Sequence, residues 1–201
     1  MKQTDKSKAS PFNSEHRTLV EIPMSNNNGV ELASAVGDFI LRDPNAPGGF
    51  NWIVPGKLAG CSAPGVSVPI DQDLGSLARI GITQLVTLTE TDLDQEALRR
   101  HRLTNIHLSV FPREAPSIGQ THMLLVRMQK SIEAGEVLAV HCKAGLGRAG
   151  VILAAWLIKE GGLSAETSMA RLRLIEPGFI QSKEQEDFLH RYEADLTQRL
   201  I

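Results

Sequence analysis

From Phe50 onward, short apolar runs alternate with amphipathic stretches along the chain. "FNWIVPG", "LVTLTE" (85–90), "NIHLSV" (105–110) and "EVLAV" read as strands, each short, rich in β-branched or aromatic residues and bounded by turn formers. "DQDLGSLARIGI" predicts a helix opened by Asp71, and a charged helix follows at about 94–102. "SIGQTHMLLVRMQKSIEAG" sets Leu124, Leu125, Met128 and Ile132 on one helical face, with Ser117 and Gln120 as a capping box and Gly135 as its stop. "GRAGVILAAWLIKEGG" is apolar almost all round, which predicts a buried helix ended by two glycines. Two further helices are predicted over about 164–175 and 182–199, separated by "EPG". Strands and helices in this order mean an α/β fold, a central, mainly parallel sheet of about four to five strands flanked by helices.

Residues 1–48 carry turn formers ("SNNNG", "RDPNAPGG") and few apolar positions, so they read as a partly ordered N-terminal extension to one folded domain over 49–201. The 201 residues, 42% of them hydrophobic, suffice for one substantial core. A net charge of −2, from 21 basic and 23 acidic residues, gives no case for nucleic acid or an anionic membrane as partner. Any anion recognition must be local. Cys61 and Cys142 are too few for a disulfide framework, and the N-terminus lacks an apolar signal core, so a soluble, cytoplasmic protein is expected. The longest apolar run, Val151 to Ile158, is too short for membrane insertion.

The candidate chemistry lies in "VLAVHCKAGLGRAG" (137–150). Cys142 is placed at the carboxyl end of a strand and Arg148 in the first turn of the next helix, where open α/β sheets hold ligands. Gly145 and Gly147 allow the intervening loop to close tightly. The amides of Lys143, Ala144, Gly145, Leu146 and Gly147 can then converge above the helix N-terminus as a cradle for a tetrahedral oxyanion, and the same field favours a thiolate at Cys142. Arg148 supplies a planar fork for two phosphate oxygens. A buried structural cysteine would explain neither the glycines nor the adjacent His141.

"HCKAGLGR" resembles the His-Cys-x-x-Gly-x-x-Arg signature of the cysteine-dependent tyrosine and dual-specificity phosphatases, over roughly residues 50–195. Within that group the chain is most similar to the compact kinase-associated dual-specificity type. The resemblance implies a protein phosphatase that acts on phosphotyrosine, with phosphoserine and phosphothreonine left open, through a phosphocysteine on Cys142. Its partner would be a phosphorylated protein, and the chemistry uses no cofactor and no metal. Arg148 and the loop amides would hold the phosphoryl group, with His141 supporting the loop.

The family draws its general acid from a loop that here must be "FPREAPS", yet ungapped alignment puts Pro112 at the acid position. Glu114 is the only carboxylate in that loop and is the expected acid, against the alternative of a solvated Glu paired with Arg113. Asp92 is a second candidate, although Asp92 with Gln95 also has helix-cap spacing. "PGFIQSKEQEDFLHRY" looks like the segment carrying the family's water-positioning glutamine. Gln181 is favoured, because Ser182 and Gln185 have the spacing of a capping box. Ala149 departs from the family's Ser or Thr and predicts slower breakdown of the phosphocysteine. Lys143 alone points weakly to inositide substrates, and Cys61 offers a disulfide partner for Cys142 or a small buried side chain. Two alternatives stay open: a phosphoinositide or small phosphoester phosphatase, and a phosphate-binding module with weakened turnover.

Overall fold

A computed structural model of the chain describes residues 46–199, so the extension predicted over 1–48 lies, but for its last three positions, outside the described residues. Five strands form one sheet: β1 (Asn51–Val54), β2 (Leu58–Cys61), β3 (Gln84–Thr87), β4 (Thr104–His107) and β5 (Leu138–His141). Their spatial order is β1-β2-β5-β3-β4, and only β1 runs antiparallel to its neighbour. The six helices among the described residues are α1 (Ile70–Arg79), α2 (Gln95–Arg100), α3 (Ile118–Glu133), α4 (Gly147–Lys159), α5 (Ala165–Ile175) and α6 (Lys183–Arg199).

Period-two alternation sorts the strand residues between two apolar layers. Val86, Val140 and Leu138 pack with α3 to α6, whereas Leu85, Ala139 and Ala59 pack with Leu74 and Leu77 of α1 and Leu98 of α2. Helix α4 is the centre of the larger layer: every residue from Gly147 to Ile158 is buried. The all-round apolar pattern of its sequence reflects neighbours on every side, with α5, α6 and the sheet packed around it.

The Ser117–Gln120 capping box forms as expected, with the serine oxygen accepting from Gln120 and the glutamine side chain accepting from the Ser117 amide. Two capping expectations are corrected. Pro69, not Asp71, precedes α1, and Asp71 instead pairs with Arg100 and His101, each at 3.0 Å. Asp94, not Asp92, caps α2 by accepting from the Glu96 and Ala97 amides at 2.8 Å, while Asp92 accepts from the Gln95 side chain at 3.2 Å. The sequence predicts no strand at β2, since four residues that include a glycine give no periodicity.

Candidate active site

Three parallel strands end level with one another: His141 is in register with Cys61 on one side and Thr87 on the other. Cys142 follows His141 at this edge and is 3% exposed. Alternation sends the two neighbours to opposite faces: Cys142 joins the layer of α4, and His141 lies on the face of Ala139 and Leu85.

The chain from Lys143 to Leu146 turns back over the strand ends before entering α4. Gly145 makes the turn possible twice over. Its φ is +77°, and a Cβ there would lie 2.3 Å from the Cys61 carbonyl oxygen, so any side chain would push the loop off β2. The loop is held there by the Ala63 amide, which donates to the Lys143 carbonyl at 3.1 Å. Among the described residues, the amides of 143–148 donate to no side chain and to no backbone carbonyl outside a regular element. Those that open α4 have no intrahelical acceptor either, because the first turn of a helix supplies none. This edge therefore concentrates unspent N–H groups at the positive end of a thirteen-residue helix.

Arg148 is buried, and among the described residues all its hydrogen bonds run through Nη1: 2.6 Å to the Val110 carbonyl, 3.3 Å to the Leu88 carbonyl and 3.1 Å to Glu90 Oε2. The arginine is thus anchored to the end of β3 and the chain beyond β4, and its Nε and Nη2 donors stay available for a bidentate oxyanion. Glu90 was not singled out from the sequence, although a carboxylate just past the end of a parallel strand was the available signal. A hydrogen bond to its own backbone, then the Arg148 guanidinium, holds the Glu90 carboxyl below the usual range.

His141 is fully buried, and that burial pushes it down to about 4, so it is a neutral base at physiological pH. Cys61 is also buried and free, as is Cys142, and burial with the nearby Cys142 and Asp73 pushes its thiol up to about 12. It is a small core side chain in the layer of α1.

The two glutamines both reach the start of α4. Gln181 Oε1 and Gln185 Nε2 would each lie 3.1 Å from a Cβ on Gly147. Their roles differ. Gln185 is fully buried and both ends of its amide are used: Oε1 accepts from the Gln181 amide at 2.9 Å and Nε2 donates to the Glu114 carbonyl at 3.2 Å. Its backbone amide also donates to Ser182 Oγ at 3.3 Å, the half of a capping box that the spacing predicted. Gln181 is exposed and its side-chain amide has no hydrogen bond among the described residues.

Glu114 is exposed on a loop tied to this region only through main chain, by Gln185 and by the Ser182 hydroxyl on the Arg113 carbonyl at 2.8 Å. No Glu114–Arg113 ion pair occurs among the described residues. Asp92 has both oxygens engaged, by the Leu93 amide at 2.7 Å, the Gln95 side chain and the Asn105 side-chain nitrogen. Ala149 is completely buried, in the same apolar layer as Cys142, and carries no hydroxyl.

Residues 47–189 match the family described as "Swiss Army Knife protein, DSP-PTPase phosphatase domain". The Caenorhabditis elegans tyrosine-protein phosphatase cdc-14 is 28% identical over 69% of this chain and 20% of its own length. Human dual specificity protein phosphatase CDC14A is 28% identical over 74% of this chain and 26% of its own. The chain thus spans about a fifth to a quarter of the length of these relatives. Among solved structures, Tk-PTP in its active form superposes with a TM-score of 0.66 at 25% identity, over 73% of this chain and 97% of that one. Kinase associated phosphatase superposes at 0.64 with 20% identity, over 70% and 87%, a likeness of fold.

Proposed function

Because the chain belongs to the DSP-PTPase phosphatase domain family, we propose that it is a cysteine-dependent phosphatase that hydrolyses phosphotyrosine on protein substrates through a phosphocysteine on Cys142. The observation that carries this reading is the loop itself: Cys142, the unspent amides of 143–148 and the anchored Arg148 surround one strand-to-helix turn.

The Cys142 thiolate attacks phosphorus, a sulfur–phosphorus bond forms and the phosphorus–oxygen bond to the substrate breaks. The departing phenoxide takes a proton from Glu114. Water positioned by Gln181 then gives a proton to the Glu114 carboxylate and attacks the phosphocysteine; the sulfur–phosphorus bond breaks, inorganic phosphate leaves, and both the thiolate and the acid are restored. Arg148 and the amides of Lys143, Ala144, Gly145, Leu146 and Gly147 hold the equatorial oxygens throughout, where charge is greatest in the transition state. One such donor is worth roughly 10²–10³-fold in rate, so the cradle outweighs any single proton-transfer step. Two buried cysteines without a disulfide fit a cytoplasmic setting.

The test is phosphate release from a generic aryl phosphate, a phosphopeptide set and phosphoinositides. Preference for phosphotyrosine peptides supports the proposal. Preference for inositides would favour the lipid reading to which Lys143 points, and binding without release would favour a phosphate-binding module.

A further inference from the structure

Among the described residues, three that are not glycine hold a positive φ: Arg102, Arg113 and Ile180. The two arginines are exposed, but Ile180 is buried and β-branched, with φ at +62°. A branched side chain opposes that backbone shape, whereas glycine would take it freely. Such strain, of a size that biases a conformational equilibrium roughly 5–150-fold, persists only where the surroundings over-determine it.

Arg173 on α5 supplies that determination. Its Nε donates to the Phe179 carbonyl at 3.3 Å and its Nη2 to the Ile180 carbonyl at 3.0 Å. These two carbonyls belong to the peptide planes on either side of the Ile180 Cα. One planar guanidinium on both therefore sets the φ and ψ between them. Nη2 also pairs with Glu186 Oε1 at 2.6 Å, which ties the arginine to α6. On its other side the bend rests on α4. The Ile180 amide donates to the Leu146 carbonyl at 3.3 Å, and a Cβ on Gly150 would lie 3.0 Å from that nitrogen. The residue that leaves the bend is Gln181. Its amide donates to Gln185 at 2.9 Å, and its Oε1 would lie 3.1 Å from a Cβ on Gly147, the neighbour of Arg148.

We propose that Arg173 is a positioning residue whose guanidinium holds Ile180 in its left-handed bend and so aims Gln181 at the Gly147 end of the phosphate cradle. The inference rests on the proposed two-step reaction, in which Gln181 serves only the breakdown of the phosphocysteine. Arg173 touches neither substrate nor water and acts through the main chain. A lysine in its place keeps the charge and the stem but cannot hold two carbonyls in one plane.

The test is rapid quench on the full chain with an activated aryl phosphate. Arg173→Lys and Arg173→Ala should each slow phosphoenzyme breakdown about tenfold, inside the range set by the strain, and leave its formation unchanged. In a Gln181→Ala background Arg173→Lys should add nothing. Adding Ile180→Gly to Arg173→Lys should recover most of the lost rate, because glycine takes the bend without the clamp. Ile180→Ala removes the same core contacts but keeps a Cβ, so it should rescue less. Cross-correlated relaxation on the ¹³C,¹⁵N-labelled chain should read a positive φ at Ile180 in the wild type that is lost or averaged in Arg173→Lys. Breakdown unchanged in both Arg173 variants, full additivity with Gln181→Ala, or a φ that stays positive in Arg173→Lys overturns the proposal. So does rescue by Ile180→Ala equal to that by Ile180→Gly. If φ responds as expected in a protein that forms no phosphoenzyme, the proposed function fails and the clamp on Ile180 stands.

Discussion

Glu90 Oε2 and Arg148 Nη1 lie 3.1 Å apart, and the same nitrogen donates to the Val110 carbonyl at 2.6 Å. The guanidinium is thereby fixed on one edge before any phosphate arrives. Fixing it beforehand matters because ordering a long side chain at the moment of binding costs affinity. Glu90→Gln keeps the shape and removes the charge. It should lower kcat/KM for an aryl phosphate by about tenfold, with the loss mainly in KM. An unchanged kcat/KM would show that the carbonyls alone hold Arg148.

Glu114 is predicted to protonate the leaving group. Glu114→Gln should remove the basic limb of the pH–rate profile and cost about 10²–10⁴-fold for substrates with poor leaving groups. Activated aryl phosphates should be affected far less. A basic limb that survives rules Glu114 out.

The two glutamines should separate cleanly. Gln185→Ala leaves the Gln181 amide and the Glu114 carbonyl without their partner, so it should cost about 1–3 kcal/mol of stability in chemical denaturation. Gln181→Ala should leave stability unchanged and slow only the second step, so phosphoenzyme accumulates in a rapid-quench experiment. The reverse pattern would exchange their roles.

Ala149 is completely buried in the layer that holds Cys142 and lacks the hydroxyl that the resemblance to the phosphatases leads one to expect there. Ala149→Ser should raise steady-state turnover and reduce the burst. If neither changes, position 149 does not govern the second step.

His141 contributes a distinctive pH term. Its folded pKa, near 4, lies below the ordinary value of 6.5, so the unfolded chain binds the proton that burial refuses. Stability is therefore full above about 6.5 and falls as pH drops toward 4, by about 3 kcal/mol. Asp71, Asp94, Asp187 and Asp195, held below the usual carboxylate range, lose their contributions at lower pH. Denaturation midpoints measured between pH 7 and 4 should show this slope, and His141→Asn should flatten it.

Much of this architecture is legible in the sequence because its longer elements obey one period throughout. The face set by Leu124, Leu125 and Met128 of α3 is buried as predicted, and Ser117 caps it. Strand β2 escaped notice because its pattern answers to close packing: a Cβ on Gly60 would lie 2.8 Å from Leu153 of α4. The Cys142–Arg148 loop was readable because its glycines, cysteine and arginine are contiguous. Glu90 was not, since it meets Arg148 from just past the end of β3, and only the pairing of β3 with β5 brings that end to the loop. Gln185 had a sound local explanation as a cap, and that hid the bond its side chain makes to a loop seventy-one residues away.

The most direct test of the central claim is rapid acid quench of the wild type and Cys142→Ser with a ³²P-labelled phosphotyrosine peptide. Label attached covalently to wild-type protein within the first turnover, and absent from Cys142→Ser together with turnover, is the predicted result. Phosphate release that continues in Cys142→Ser, or a phosphoenzyme on any other residue, would contradict the account.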